Sequence, residues 1–262
     1  GVRLFRKLSF AAKAGLISAT FTVPLLVLGV FFYGNLATQI DFSSKERLGV
    51  DYTRALGPLV DAGQRWRAGG DGSSLLDGVQ KAAAQVQALD QRLGAELGTT
   101  KLHADLAQAL QAVQGTTAPP SVAAADTLVK AANALLVQAT DGSNLTLDPD
   151  IDTYYLMDGS LFRLPDLIDQ SAALRDLAAA VAAAGDPTPE QLQRMGALLA
   201  IIDYMDANLA GGLDKTLALR PGIKPLLGAD AARQQLRRLR DSAAAVMKTG
   251  PGRPAADAVR TA

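Results

Sequence analysis

Residues 16–33 read LISATFTVPLLVLGVFFY, and this stretch decides how the rest of the chain is organised. It contains no charged residue, and the uncharged segment around it extends from Ala14 to Ile40. At a rise of about 1.5 Å per residue this segment would form a helix of roughly 40 Å, whereas the hydrocarbon core of a bilayer is roughly 30 Å thick. The stretch therefore predicts one transmembrane helix over residues 14–40.

Two other roles of an apolar N-terminal stretch fit these residues less well. A cleavable signal peptide has an apolar core of about 7–15 residues that ends at small residues. The apolar core of this chain is longer, and the sequence GNLA at residues 34–37 is a weak cleavage site. A helix that packs on the core of a soluble protein normally carries a polar stripe, which residues 16–33 lack. An uncleaved signal anchor is favoured over both alternatives.

Charge is distributed unevenly around the predicted anchor. The whole chain has 26 basic and 26 acidic residues. Residues 1–40 contain no acid and four bases, which are Arg3, Arg6, Lys7 and Lys13. Because positively charged flanks stay in the cytoplasm, residues 1–13 are expected to form a cytoplasmic N-terminus. Residues from 41 onward are then expected on the far side of the membrane, after a single pass.

The composition beyond the anchor argues against several functions. With 22 bases against 26 acids, this part does not neutralise phosphates, so no nucleic-acid partner is expected. The absence of cysteine removes disulfides, thiolate catalysis and cysteine-based zinc sites. His103 is the only histidine, and no Ser/His/Asp set or phosphate-binding loop accompanies it. We expect no enzyme activity, no cofactor and no metal site.

Apolar residues beyond the anchor recur at three- and four-residue spacing, which is typical of packed helices. These seams and the breaker residues between them predict helices over residues 41–67, 73–97, 102–113, 121–140, 148–184, 188–219 and 230–248. No strand pattern is present. The predicted fold is all-α: an up-down helical bundle over residues 41–248, possibly two stacked four-helix modules. Residues 249–262 are expected to form a disordered tail.

The predicted breaks and caps follow from glycine, proline and acidic residues. Breaks are expected at residues 69–72, 98–100, 115–120, 185–189 and 220–222. Asp148 is the expected N-cap of its helix, with Pro149 at the first helical position. Thr188 is expected to cap the next helix, and Pro165 is expected to kink the helix that contains it. The acidic run from Asp148 lacks the glycine and distal glutamate of a calcium loop, so capping explains it better than a metal.

Three stretches together resemble the input domain of proteobacterial methyl-accepting chemotaxis proteins and related transmembrane signalling proteins. The first is the basic N-terminus with its anchor, and the second is IDFSSKERLGVDY at residues 40–52, with Arg54 behind it. The third and most specific is LDPDIDTYYLMD at residues 147–158, followed by RLP at residues 163–165. The resemblance covers roughly residues 1–245.

The resemblance implies a periplasmic sensor domain in a bacterial inner membrane, which acts as a homodimer and binds a small molecule of unknown identity. Such receptors continue into a second membrane helix, a linker module and a cytoplasmic coiled coil. None of these is found up to Ala262, so a fragment or a truncated product is expected. Two alternatives stay open: the input domain of a diguanylate cyclase or histidine kinase, and a membrane-anchored scaffold bundle that binds no ligand.

Ligand-binding residues are expected where polar side chains share a helical face. Tyr154 and Asp158 are four residues apart, and Arg163 lies within reach of Asp158. These three are predicted to line an inter-helix site, with Arg54 as anion partner through its planar guanidinium. The alternative for Arg54 is an ordinary solvated arginine. The same two alternatives, anion binding or solvation, apply to Arg65 and Arg67 on the same helix. A solvated helical face is expected for Arg233, Arg237, Arg238 and Arg240.

Overall fold

A computed structural model describes residues 9–69, 73–114, 120–184 and 187–249. Within these ranges every regular element is helical and no strand occurs, so the predicted all-α fold is confirmed. The α-helices are α1 (Phe10–Arg67), α2 (Ser73–Leu97), α3 (Thr100–Gln114), α4 (Val122–Gly142), α5 (Ile151–Met157), α6 (Leu164–Ala184), α7 (Pro189–Leu219) and α8 (Ala229–Thr249). Predictions for residues 1–8, 70–72, 115–119, 185–186 and 250–262 lie outside the described residues.

The chain divides into two compact units, residues 1–47 and residues 48–262. In the described part of the first unit, α1 carries the apolar stretch, and it is the one described helix long and apolar enough to cross a membrane. Its large side chains are exposed: Phe21 by 69%, Leu25 by 67% and Phe32 by 71%. Such a surface is unfavourable in water and matches the acyl chains of a bilayer. One membrane-spanning helix is therefore consistent with the prediction.

The first hydrophobic cluster of the second unit joins α1, α2, α3 and α4. On α1 its members Tyr52, Leu56, Leu59 and Trp66 are almost fully buried, and their spacing places them on one helical face. This is the seam that the sequence predicts for the helix beyond the anchor. Small residues let the helices approach closely: a Cβ atom at Gly142 would lie 2.1 Å from the carbonyl oxygen of Leu97.

The second hydrophobic cluster joins α6, α7 and α8. Its most buried members include Leu174, Ala178, Val181, Met195, Ile202 and Ala243. The members on α6 and α7 recur at three-, four- and seven-residue spacing, which is typical of the apolar face of an amphipathic helix. The first cluster thus joins four helices, and the second joins three among the described residues.

Arg67, in the last turn of α1, links the two clusters. Its Nη1 lies 3.3 Å from Asp126 on α4, and its Nη2 lies 2.7 Å from Asp169 on α6. Gln64 completes the arrangement, since its amide nitrogen donates to Asp169 at 2.8 Å and its carbonyl accepts from Arg67 at 2.6 Å. The side chain of Arg67 is only 12% exposed. The sequence predicts Arg67 either as a solvated surface residue or as an anion-binding residue. In the structure it instead forms ion pairs with Asp126 and Asp169 of the same chain.

The start of α5 corrects the predicted cap. The helix begins at Ile151, so Asp148 is not its N-cap and Pro149 is not its first residue. Instead, Asp148 accepts a hydrogen bond at 2.9 Å from the backbone N–H of Asp150, two residues on. This local turn competes with the helix for the aspartate side chain. The cap at Thr188 is confirmed, because Thr188 and Gln191 form a reciprocal capping box at the start of α7.

A π-helical segment, Asp158–Arg163, joins α5 to α6 where the sequence predicts a kink at Pro165. The backbone N–H of Leu164 donates to the carbonyl of Gly159, five residues back. Proline has no N–H to donate, and in a regular α-helix its ring crowds the carbonyl four residues earlier. In place of the predicted kink, the structure has a wider π turn just before Pro165. Such turns occur frequently at functional sites.

Candidate functional site

A cleft of about 540 Å³ opens in the second unit between the helix pair α5–α6 on one side and α7 and α8 on the other. Its size falls within the roughly 300–1,000 Å³ usual for small-molecule sites. Most of its wall is apolar, with contributions from Leu156, Leu164, Ile168, Leu209, Leu213 and Leu236. Leu164 and Ile168 remain 39% and 40% exposed, so an apolar ligand could cover them.

Arginines from two helices line one end of the cleft. Arg65 belongs to the last turn of α1, and Arg175 belongs to α6. Each guanidinium has a carboxylate partner on its own helix: Nε of Arg65 lies 2.9 Å from Asp61, and Arg175 binds Asp176 through Nε and Nη2. The Nη1 group of each has no hydrogen-bond partner among the described residues. These groups can therefore donate to a bound anion.

A third arginine of the cleft, Arg233, is likewise paired with a carboxylate, and its Nη1 group has no hydrogen-bond partner among the described residues. Nε and Nη2 of Arg233 on α8 each lie 2.9 Å from an oxygen of Asp206 on α7, which is a bidentate pair. The neighbouring carboxylate holds the pKa of Arg233 above its ordinary value. This corrects the expectation of a solvated arginine face, since Arg240 also pairs with a carboxylate of α7, Asp203. Arg237 and Arg238, the other members of that run, are exposed as expected.

Tyr155 lines the cleft near its α5 end. Nζ of Lys215 donates to its hydroxyl at 2.7 Å and lies 4.5 Å from the ring centroid. The ring also lies close to Gly212, where a Cβ atom would come within 2.9 Å of it. The rings of Tyr154 and Tyr155 stand edge to face with centroids 5.3 Å apart. Of the two tyrosines, it is Tyr155 that faces the cleft.

The predicted ligand residues Tyr154, Asp158 and Arg163 lie together beside the cleft. Arg163, which the sequence places within reach of Asp158, forms an ion pair with it. Asp158 holds the pKa of Arg163 above its ordinary value, and Tyr154 and Tyr204 act in the same direction. Tyr204 comes from α7, so the sequence could not associate it with this group. We call these four residues the tyrosine patch.

Arg54 lies apart from these contacts. It is exposed on α1 and makes no hydrogen bond or ion pair with another described residue. Neither Arg54 nor the predicted residues Tyr154, Asp158 and Arg163 belong to the cleft lining. Their role in ligand binding stays a prediction, and the cleft is a neighbouring site that sequence reasoning missed.

A buried polar network around Asp90 lies inside the first cluster. The hydroxyls of Tyr52 and Thr99 donate to one carboxylate oxygen at 2.8 and 2.6 Å, and Nδ1 of His103 lies 3.6 Å from the other. Burial raises the pKa of Tyr52 above its ordinary value, and the neighbouring Asp90 adds to this. The network ties α1 to α2 and α3. His103, which stood alone in the sequence, thus has a structural partner.

Asp152, in the first turn of α5, contacts residues at the C-terminal end of α7. Asp152 forms an ion pair with Arg220, and the hydroxyl of Thr216 donates to the backbone carbonyl of Asp152 at 3.1 Å. Pairing with Arg220 lowers the pKa of Asp152 despite the opposing effect of desolvation. No group of three or more histidine or acidic side chains suited to a metal ion occurs in the part of the chain that the structure describes.

Comparison of the chain with known protein families, with curated proteins and with solved structures finds no match. A functional assignment must therefore rest on the residues themselves. Two features of the described chain bear on it: the cleft with its arginines, and the apolar stretch of α1.

Proposed function

We propose that this chain is the periplasmic sensory domain of a bacterial transmembrane signalling protein, with a chemotaxis receptor as the favoured output. It binds a small molecule and carries out no catalysis. One observation carries the proposal: the helix that supplies Gln64 and Arg65 to the cleft is the helix whose N-terminal part is apolar enough to cross a membrane. The resemblance of residues 40–52 and 147–158 to chemotaxis input domains supports the same reading.

The proposed mechanism is a shift between two packings of α1 against α6. A ligand changes such an equilibrium only by its difference in affinity for the two states. The cleft takes residues from both helices, so a ligand there can favour one packing over the other. Arg67 ties α1 to α4 and α6 through Asp126 and Asp169, and these ion pairs are the contacts that a shift of α1 would change first.

Assembly and orientation belong to the same proposal. The chain forms a homodimer in the bacterial inner membrane, with a cytoplasmic N-terminus and a periplasmic helical domain. Sedimentation velocity of the full chain in detergent measures the association directly. A sedimentation coefficient that rises with protein concentration toward that of a dimer supports the assembly, and a monomer at all concentrations contradicts it.

A thermal-shift screen of the full chain in lipid nanodiscs tests the sensory role. The library contains amino acids and organic acids, and a true ligand at 100 times its Kd should stabilise the protein by about 2.7 kcal/mol. Ala172→Phe fills the cleft, because Ala172 lines it. Ala218→Phe is the matched control at an exposed position of α7 outside the lining. The proposal is supported if a compound stabilises the Ala218→Phe variant as it does the unchanged chain but does not stabilise the Ala172→Phe variant.

Other results of the screen have definite meanings. If no compound stabilises the chain, the sensory role fails and a scaffold bundle without a ligand is the better account. If Tyr154→Phe and Arg54→Ala abolish stabilisation while Ala172→Phe preserves it, the ligand binds at the residues that the sequence predicted. Neither of those two variants should lower the free energy of unfolding by more than about 1 kcal/mol, the value of an ordinary hydrogen bond.

A further inference from the structure

We propose that the ligand of the cleft is an amphipathic monocarboxylate, a molecule with one carboxylate head and an extended apolar body. This inference rests on the proposed sensory function and narrows it to one ligand class. It follows from the length of the cleft, from the chemistry of its wall and from the placement of its charges.

The cleft is long and mostly apolar. Along α5 and α6 its lining extends from Tyr155 to Arg175, which corresponds to roughly 30 Å at about 1.5 Å per residue. Leu164 and Ile168 lie between these ends, one helical turn apart, and both are about 40% exposed. A compact polar molecule such as an amino acid would cover little of this wall. An apolar chain would cover much of it and gain from the area removed from water.

Two of the three arginines that line the cleft lie near one end of it. Ala68, just beyond α1, and Arg175 also line a second, smaller hollow, so they are neighbours. Arg65 lies one turn before Ala68, which places Arg65 and Arg175 near this end. Two guanidinium groups can bind a carboxylate through several charged hydrogen bonds. This end therefore suits the head of the ligand.

The rest of the cleft disfavours a second charge. Among the described residues, Asp206 is the one carboxylate of the lining, and Arg233 neutralises it. Most of the remaining lining consists of leucine, isoleucine and alanine side chains. A second carboxylate placed against them would lose its hydration without a partner. Two arginine side chains at one end and a mostly apolar lining elsewhere thus favour a ligand with a single head group.

Titration calorimetry of the full chain in nanodiscs tests the ligand class, with empty nanodiscs as the blank. Octanoate is the probe, octanol keeps its chain without the charge, and acetate keeps its head without the chain. We expect octanoate to bind and both analogues to bind about tenfold more weakly or worse. Arg65→Gln and Arg175→Gln should each weaken octanoate binding by about tenfold. Arg238→Gln, at an exposed position of α8 outside the lining, removes the same charge and should leave binding unchanged.

The inference is overturned if octanol binds as tightly as octanoate, or if Arg238→Gln weakens binding as much as Arg175→Gln. Fluorescence of Trp66, the only tryptophan of the chain and a buried one, verifies that each variant is folded. Failure of the ligand class can be told apart from failure of the sensory role. If octanoate does not bind but another compound binds and is lost in Ala172→Phe, only the class is wrong. If no compound binds, the sensory role is wrong as well.

Discussion

At the scale of single residues, partners close in the sequence could be predicted and distant partners could not. Asp158 and Arg163 lie on one continuous helical segment, so their spacing already placed them within reach of each other, and they form an ion pair. Tyr52 and Asp90 lie 38 positions apart on different helices, and only the packing of α1 on α2 brings them together. The same holds for Arg67 and Asp169, which are 102 positions apart.

Removal of the Arg67 guanidinium should be costly. Arg67→Gln leaves Asp126 and Asp169 without their ionic partner in a partly buried place, and we expect the free energy of unfolding to fall by about 2 kcal/mol. The matched control is Arg65→Gln, because both partners of the Arg65–Asp61 pair are about 60% exposed. Its cost should stay below about 0.5 kcal/mol. Urea unfolding followed by Trp66 fluorescence measures both, and equal losses would contradict the account.

The buried hydroxyl of Tyr52 should make stability depend on alkaline pH. Its pKa in the folded chain is raised above the ordinary value of about 10. The unfolded chain therefore loses this proton first, so the contribution is complete below pH about 10 and decreases as the pH rises further. Tyr52→Phe should lower the free energy of unfolding by about 1–2 kcal/mol at neutral pH. This difference should shrink above pH about 10 in urea unfolding; two parallel pH curves would show that the hydroxyl is not responsible.

At the scale of helices, the sequence predicted the existence and most boundaries of the elements. The Thr188 cap and the end of α7 at Leu219 are confirmed because their signals are local. Asp148 was misplaced because an aspartate can cap a helix or form a turn two residues ahead of it, and the sequence alone does not decide between them. For the π segment at Asp158–Arg163 the sequence predicted only a kink at Pro165. A proline shows that the regular helix must be interrupted, but it does not determine the backbone geometry of the interruption.

Close contact between the ends of α2 and α4 should make Gly142 intolerant of substitution. A Cβ atom there would lie 2.1 Å from the carbonyl oxygen of Leu97 and 2.9 Å from its Cα. Because this neighbour is backbone, Gly142→Ala must separate the two helix ends and should cost about 2 kcal/mol or more. Gly78→Ala, in α2 with nothing within 4 Å, should instead gain about 0.5–1 kcal/mol. Thermal unfolding that moves both variants in the same direction would reject this packing.

At the scale of the whole molecule, the sequence predicted the apolar span and the helical class but not the cleft. An uninterrupted run of apolar residues is sufficient to identify a possible span. The cleft combines Arg65, Tyr155, Arg175 and Arg233 from four helices, and no periodicity in one sequence says which helices are neighbours. The sequence selected Tyr154 rather than Tyr155 because polar spacing along one helix was the only guide.

All parts of the proposed function depend on one claim, that the helical domain lies across the membrane from the N-terminus. Fusions of alkaline phosphatase and of green fluorescent protein after Lys248, expressed separately in a bacterium, test it most directly. The first reporter is active only in the periplasm, and the second fluoresces only in the cytoplasm. The positive charge before α1 predicts high phosphatase activity with no fluorescence. An inactive phosphatase together with a fluorescent partner fusion would place the domain in the cytoplasm and contradict the account.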